Sequence, residues 1–148
     1  MKEPTRPPDG IIKPQVLKWI EGHESWIHYV GAQYGKQKLL YFKLASFQLI
    51  PGLVGLNIID SFVTLTPLIT TQNRLHSPEI SYLVNYENGI MTKNSIADYC
   101  EAIIKLVNDL HLQERMIDGC RAAREEYTIE NMASNFQHGI ERILEITN

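Results

Sequence analysis

Cysteine is scarce in this sequence: Cys100 and Cys120 are the two present. Both fall on expected helices without metal-ligand spacing, which argues against a disulfide framework or a zinc site. They read instead as small hydrophobes in a reduced, cytoplasmic setting. Basic blocks are missing too, and 14 Lys and Arg against 17 Asp and Glu leave a net charge of −3. Nothing here makes a nucleic-acid footprint. No apolar run approaches the roughly 20 residues of a membrane helix, and the start at Met1 lacks a signal-peptide core. An internal repeat is also lacking, which excludes solenoids and propellers. What is present, 148 residues at 44% hydrophobic and 21% charged, suits one soluble globular domain with a real core.

The informative stretch runs from Ser46 to Glu79. Ser46 to Ile50 reads as a strand, Pro51 to Gly55 as a turn, Leu56 to Leu65 as a helix and Pro67 to Thr71 as a second strand. A short apolar run feeding a helix and then another apolar run is a βαβ unit, hence a parallel pair. Gly52 and Gly55 permit close approach of a ligand to the backbone. The amides of Val54, Gly55 and Leu56 open a helix there, a position that suits an anion. The helix is apolar nearly all round except for Asp60, whose carboxylate needs a polar cleft or a partner.

Before this stretch, residues 1–13 are rich in proline and charge and read as a poorly ordered lead. Gly10 to Lys13 could add a short strand, and Gln15 to Glu21 a short helix. Trp26 to Val30 reads as a strand. Its His28 is either a satisfied sheet histidine or a ligand contact, and Trp19 and Trp26 read as core or rim packing. Gly35 to Ala45 is an amphipathic helix whose Lys36, Lys38 and Lys43 form a solvated face. After it, Thr70, Thr71, Gln72 and Asn73 place hydroxyls and amides at a strand's carboxyl end, where open α/β sheets bind ligands. Ser77 then caps a helix with Pro78 in its first position, so Glu79 reads as a first-turn carboxylate. Asn85 to Met91 is a turn entering a last short strand. From Ser95 onward the chain is helical: Ile96 to Leu110, Gln113 to Glu126, and Ile129 to Ile146 capped by Thr128. Core docking is expected of these helices, with partner-helix pairing as the alternative.

Pro51-Gly52, Gly55-Leu56, Asp60, the Thr66 to Thr71 strand, His76-Ser77-Pro78-Glu79-Ile80 and Asn88-Gly89-Ile90-Met91 occur in an order that resembles the group 1 retaining GT-B glycosyltransferases, in their C-terminal, nucleotide-sugar-binding part. The resemblance covers roughly Trp26 to Ile146. It implies an α/β fold, a partial doubly wound, Rossmann-like parallel sheet of about four strands with a helical C-terminal segment, over residues 14–148. It also implies donor-binding roles for Gly52, Val54, Gly55, Leu56, Asp60, His76 and Glu79. Asp60 stands where the family has the glutamate that bonds the ribose, one methylene shorter. Gly52 stands where the family has a sugar-contacting glutamate, so that role does not carry over, although a PG-x-x-GL variant occurs in some branches. Leu65 replaces a usual glycine at a tight helix end. The Asn85 to Met91 loop would close the base side of the pocket, and the final helix would brace the other domain.

Two earlier strands, and the Arg and Lys pair that neutralises the donor diphosphate, are not recognisable before Trp26. The resemblance therefore implies a C-terminal fragment, not active alone, whose partners are a nucleotide-diphosphate sugar and a separate N-terminal half. It implies no metal or cofactor, no transmembrane segment, and a place at the membrane periphery in a complete enzyme. Two other readings stay open: a non-catalytic remnant or interaction module, and an unrelated α/β nucleotide-binding domain.

Overall fold

The computed structural model describes residues 13–146. The chain divides into two units, residues 1–34 and 35–148. The expected lead and most of the short strand proposed at Gly10 to Lys13 lie outside the described residues, and Lys13 itself opens a helix.

In the first unit, α1 spans Lys13–Ile20. The helix is followed by turns in which the amides of Trp26 and Ile27 both return to the carbonyl of His23. The Trp19 ring stacks on His23 at 5.5 Å, and His23 meets Trp26 edge-on at 5.7 Å. Both indoles are about two-thirds exposed, so they are not core residues. The strand expected over Trp26 to Val30 is absent, and His28 is exposed. Its β-branched and aromatic composition favours a strand, but a strand exists only against a ladder partner, and this unit's described residues contain none.

The second unit is built on a three-stranded, all-parallel sheet in the order β1-β2-β3, one strand fewer than expected. After α2 (Gly35–Leu44) come β1 (Gln48–Ile50), α3 (Asn57–Thr64) and β2 (Leu68–Thr71), the βαβ unit read from the sequence. A 3-10 turn over Pro78–Tyr82 leads to β3 (Gly89–Thr92), and three helices follow: α4 (Ile96–Asn108), α5 (Leu110–Glu126) and α6 (Ile129–Ile146). Gln48 pairs with Leu68, and Leu68 with Gly89. The central strand, β2, is buried along its whole length, which is why it reads as a continuous apolar and β-branched run rather than an alternating one.

Alternate residues of β2 feed two cores. Leu68 packs with Val54, Ile58, Phe62, Cys120 and Ala123, and Ile69 packs with Ile90, Ala102, Leu106, Leu112 and Met116. Helix α5 thus contributes to both, its first half to one and its second half to the other. Burying such side chains is worth about 1.5–3 kcal/mol each and carries the unit. Tyr127 closes the first core, stacked on Tyr82 at 4.2 Å and near Phe62 at 6.0 Å.

The caps repeat the sequence pattern with one exception. Ser95 accepts from the Asp98 amide at 3.1 Å, and Thr128 accepts from the Asn131 amide at 3.1 Å. Ser77, expected to cap, makes no side-chain cap bond, and the segment after it forms only a 3-10 turn. Leu65 ends α3 in the left-handed region (φ 57°, ψ 39°), the conformation a glycine would take there without penalty. For a leucine the cost is about 1–2 kcal/mol. Part of that is offset because Leu65 packs against the first core. Helix α6 departs from expectation: its residues from Ile129 to Glu145 are all exposed. It is not docked on the core.

Candidate functional site

The βαβ connection puts the turn Pro51 to Gly55 at the carboxyl end of the parallel sheet, where the strands' loops converge. Buried β2 hydroxyls hold this turn. Thr71 donates to the carbonyl of Pro51 at 2.8 Å, and Thr70 to that of Gly52 at 3.3 Å. Hydroxyls at a strand end suit a ligand, but these two bind backbone instead.

His76 is the latch between the turn and the sheet. The Val54 amide donates to its Nδ1 at 3.0 Å, so that nitrogen carries no proton. Its Nε2 then donates to the Thr71 carbonyl at 2.8 Å. The ring is therefore neutral and fully engaged by backbone on both sides. Beside it, the Ser77 amide donates to the Val54 carbonyl at 3.0 Å, drawing the His76-Ser77 loop onto the turn. The Gly55 amide is also engaged, with Asn57 Oδ1 at 2.8 Å.

Helix starts leave several amides without intrahelical partners, and this chain fills two of them from within. Of the three amides expected to face an anion, those of Val54 and Gly55 are taken, and only that of Leu56 has no partner among the described residues. Leu56 itself is 71% exposed. A phosphate at this helix start would meet the Leu56 amide directly and would have to displace Asn57 to reach that of Gly55.

Asp60 lies one turn into α3 and faces α2. Its two oxygens accept from Lys38 Nζ at 2.7 and 2.9 Å, so the acid has the partner that burial in an apolar helix demands. Lys38, expected on a solvated face, is 36% exposed, and Asp60 is 25% exposed. Glu79 sits in the first position after Pro78 and is half-buried, and its Oε2 is buried with no hydrogen-bond partner. A buried carboxylate oxygen of this kind is costly, and a ligand hydroxyl would satisfy it.

A surface hollow of about 460 Å³ opens at the same end of the sheet, lined by Gln72, Asn73, Arg74, His76, Ile80, Met91 and Asn94. Among the predicted site residues, only His76 lines it. Its lining has one formal positive charge and no carboxylate. Asn73 Oδ1 accepts from the Leu75 amide, which leaves its NH₂ group as a donor.

The structure thus gathers Gly52, Val54, Gly55 and His76 around one turn, with Leu56 at its exit. It sets Asp60 aside against α2. Lys38 and Asn57 are contributors that the sequence reading missed. Asn57 had a signal, since an asparagine next to a helix start is a good amide acceptor. Lys38 had none, because its partner lies 22 residues away. No group of His, Cys, Asp and Glu among the described residues has the geometry to hold a metal ion.

No protein-family model matches the sequence, and no curated protein does. Solved structures do. Sucrose-phosphate synthase from Thermosynechococcus elongatus matches 99% of this chain with a TM-score of 0.69 at 17% identity. TarM matches 87% with a TM-score of 0.67 at 22% identity. The chain shares its fold with a part of each of these proteins, both GT-B glycosyltransferases. At such identities the likeness is one of fold. The chain spans 37% of the length of the first protein and 26% of the second. Among its described residues no helix is long and apolar enough to cross a membrane.

Proposed function

We propose that the chain is the donor-binding part of a retaining glycosyltransferase, one that moves a sugar from a nucleotide-diphosphate sugar to a glycan or lipid acceptor. The observation that carries this reading is the latched glycine turn at the carboxyl end of a parallel sheet, in a GT-B fold and beside a carboxylate-free hollow. In it, the Leu56 amide and the start of α3 would take the diphosphate, Glu79 would meet the sugar and Asp60 the ribose. Positioning, and stabilisation of the departing diphosphate, would supply the catalysis. In this reading the reaction uses a second domain across the cleft.

The partner in this reading is a separate N-terminal half, with the missing strands added to the β1 edge. Two features of that edge support it. Gln48 on β1 is 6% exposed and neither side-chain polar atom has a partner, while Leu49 beside it is 50% exposed. The Gln48 amide asks for a hydrogen-bonding neighbour, and a parallel edge that is unpaired among the described residues asks for a strand.

A second reading, a remnant that has lost donor binding, is favoured by the Lys38–Asp60 pair and by the occupied amides of Val54 and Gly55. Calorimetric titration with UDP and GDP sugars separates the two. The donor-binding reading expects micromolar heat that disappears in Asp60→Ala. Absence of heat at millimolar ligand leaves the remnant.

A further inference from the structure

His76 ties two segments together in one protonation state only. Val54 gives both of its backbone groups to the loop: its amide donates to His76 Nδ1 at 3.0 Å, and its carbonyl accepts from the Ser77 amide at 3.0 Å. The other ring nitrogen donates to the Thr71 carbonyl, at the end of β2, at 2.8 Å. An Nδ1 that accepts carries no proton. Protonation places an N–H there, pointing at the N–H of Val54, so that two donors face each other and the bond is lost.

The two sides of that bond are unequally held. Val54 is fully buried in the first core with Ile58, Phe62 and Leu68. On the loop side, Gln72 is anchored by its amide on the Thr92 carbonyl at 2.8 Å, but Asn73, Arg74 and Leu75 beyond it are exposed. The bond from the Leu75 amide to Asn73 Oδ1 lies within the loop and fixes nothing to the turn. Once the ring is protonated, the buried Val54 amide has lost its acceptor, which is costly until water or another group reaches it. The loop is the side that can move, and its bond at Ser77 loosens with it.

Few charges bear on the ring. The turn Pro51 to Gly55, β2 and β3 contain no titratable side chain. On α3, Asp60 is engaged by Lys38. Arg74 lines the same hollow as His76 and opposes a second positive charge there, whereas Glu79, three residues further along the chain, favours one.

We propose that His76 is a proton-operated latch on the glycine turn: the neutral ring holds residues 73–77 against Val54, and protonation releases them. Histidine is the side chain whose charge ordinarily changes between pH 5 and 8, and here that change removes an acceptor from a backbone bond. Only the neutral ring makes the bond, so the latch is closed at neutral pH and opens as pH falls. Where the donor-binding reading holds, this proton sets the shape of the turn and of the hollow that His76 lines. The latch itself does not depend on that reading.

Nuclear magnetic resonance of the full chain, titrated from pH 8 to pH 5 without ligand, tests this. The expected result is a ring unprotonated at Nδ1 at pH 8, and a Val54 amide resonance that moves with the His76 ring at a single midpoint. Protection of that amide, corrected for the intrinsic pH dependence of exchange, should fall about tenfold, while Ile69 and Ile90 inside the sheet keep theirs. His76→Asn offers Val54 an acceptor that does not titrate, and should keep the turn closed across the range. His76→Leu should show the acid form already at pH 8. Circular dichroism establishes that each variant is folded. A ring that titrates while Val54 stays protected overturns the proposal. So does a ring that stays neutral down to pH 5 in a folded chain, or a pH response unchanged in His76→Asn. Calorimetric silence toward UDP and GDP sugars would end the donor-binding reading and leave the latch standing.

Discussion

Helices α5 and α6 are neighbours in sequence and nearly equal in length, 17 and 18 residues, yet they end in opposite environments. In α5, Leu112, Met116, Cys120 and Ala123 are at most 4% exposed. In α6, the matching positions of the repeat stand in solvent. Both sequences carry an apolar stripe at helical spacing, so the pattern does not separate them. The separation comes from what lies opposite: α5 has the sheet, the Glu87-Asn88 turn and α3 to pack on, and α6 has no such surface among the described residues. An apolar stripe says that a helix face is suited to burial. It does not say by what.

Glycine sharpens the contrast most. Gly119 in α5 crosses so close to the β3 turn that a Cβ would sit 2.1 Å from the Glu87 carbonyl oxygen, whereas Gly139 in α6 faces open space. Gly119→Ala is expected to cost about 3 kcal/mol or more, since rigid backbone must move to admit the methyl group. Gly139→Ala is expected to gain up to about 1 kcal/mol from helix propensity. Urea unfolding of the two variants reads both, and equal effects would break the comparison.

Alkaline pH acts on the packed side alone. Burial pushes the Cys120 thiol from an ordinary 9.0 up to about 12. Burial, with a smaller contribution from Cys100, likewise raises Tyr99 from 10.0 to about 12. Cys120 donates to the Asn88 carbonyl and Tyr99 to that of Ile69, bonds that ionisation removes. The folded values lie above the unfolded ones, so the stabilisation is complete below about pH 9 and is lost as pH rises toward 12. Thermal unfolding across that range is expected to show a falling midpoint, with a shallower fall in Cys120→Ala measured against its own value at pH 7. A midpoint independent of pH would contradict this burial.

The smallest effect lies at the Lys38–Asp60 pair. With both side chains partly exposed, solvent and salt screen it, and Asp60→Asn is expected to cost no more than about 1 kcal/mol. Raising ionic strength should shrink the difference from the unaltered chain. A cost that is large and insensitive to salt would show Asp60 to be held more tightly within the fold than this pair implies.

Much of the second unit was legible in the residue order. The β1–α3–β2 unit, the entry into β3, the caps at Ser95 and Thr128 and the three final helices follow from local rules of period, turn and cap. The parallel sense of β1 and β2 followed from the helix between them. The errors share a cause. Trp26 to Val30 has strand composition but lacks a ladder partner, and α6 has a core-like stripe but lacks a core. At the candidate site the gathering of Val54, Gly55 and His76 matches the sequence order, while the bonds that engage them do not follow from it. Which amide His76 or Asn57 satisfies depends on distances of about 3 Å between segments, which no spacing rule supplies.

By itself the sequence determined the local choices: where the chain extends, where glycine and proline turn it, and which faces are apolar. Those depend on torsional preference and solvation within a few residues of the chain. Only the tertiary structure decided the partners: Lys38 for Asp60, His76 for the Val54 amide, and the Glu87 backbone against Gly119. Each is a contact between groups that the chain brings together only after its elements have packed.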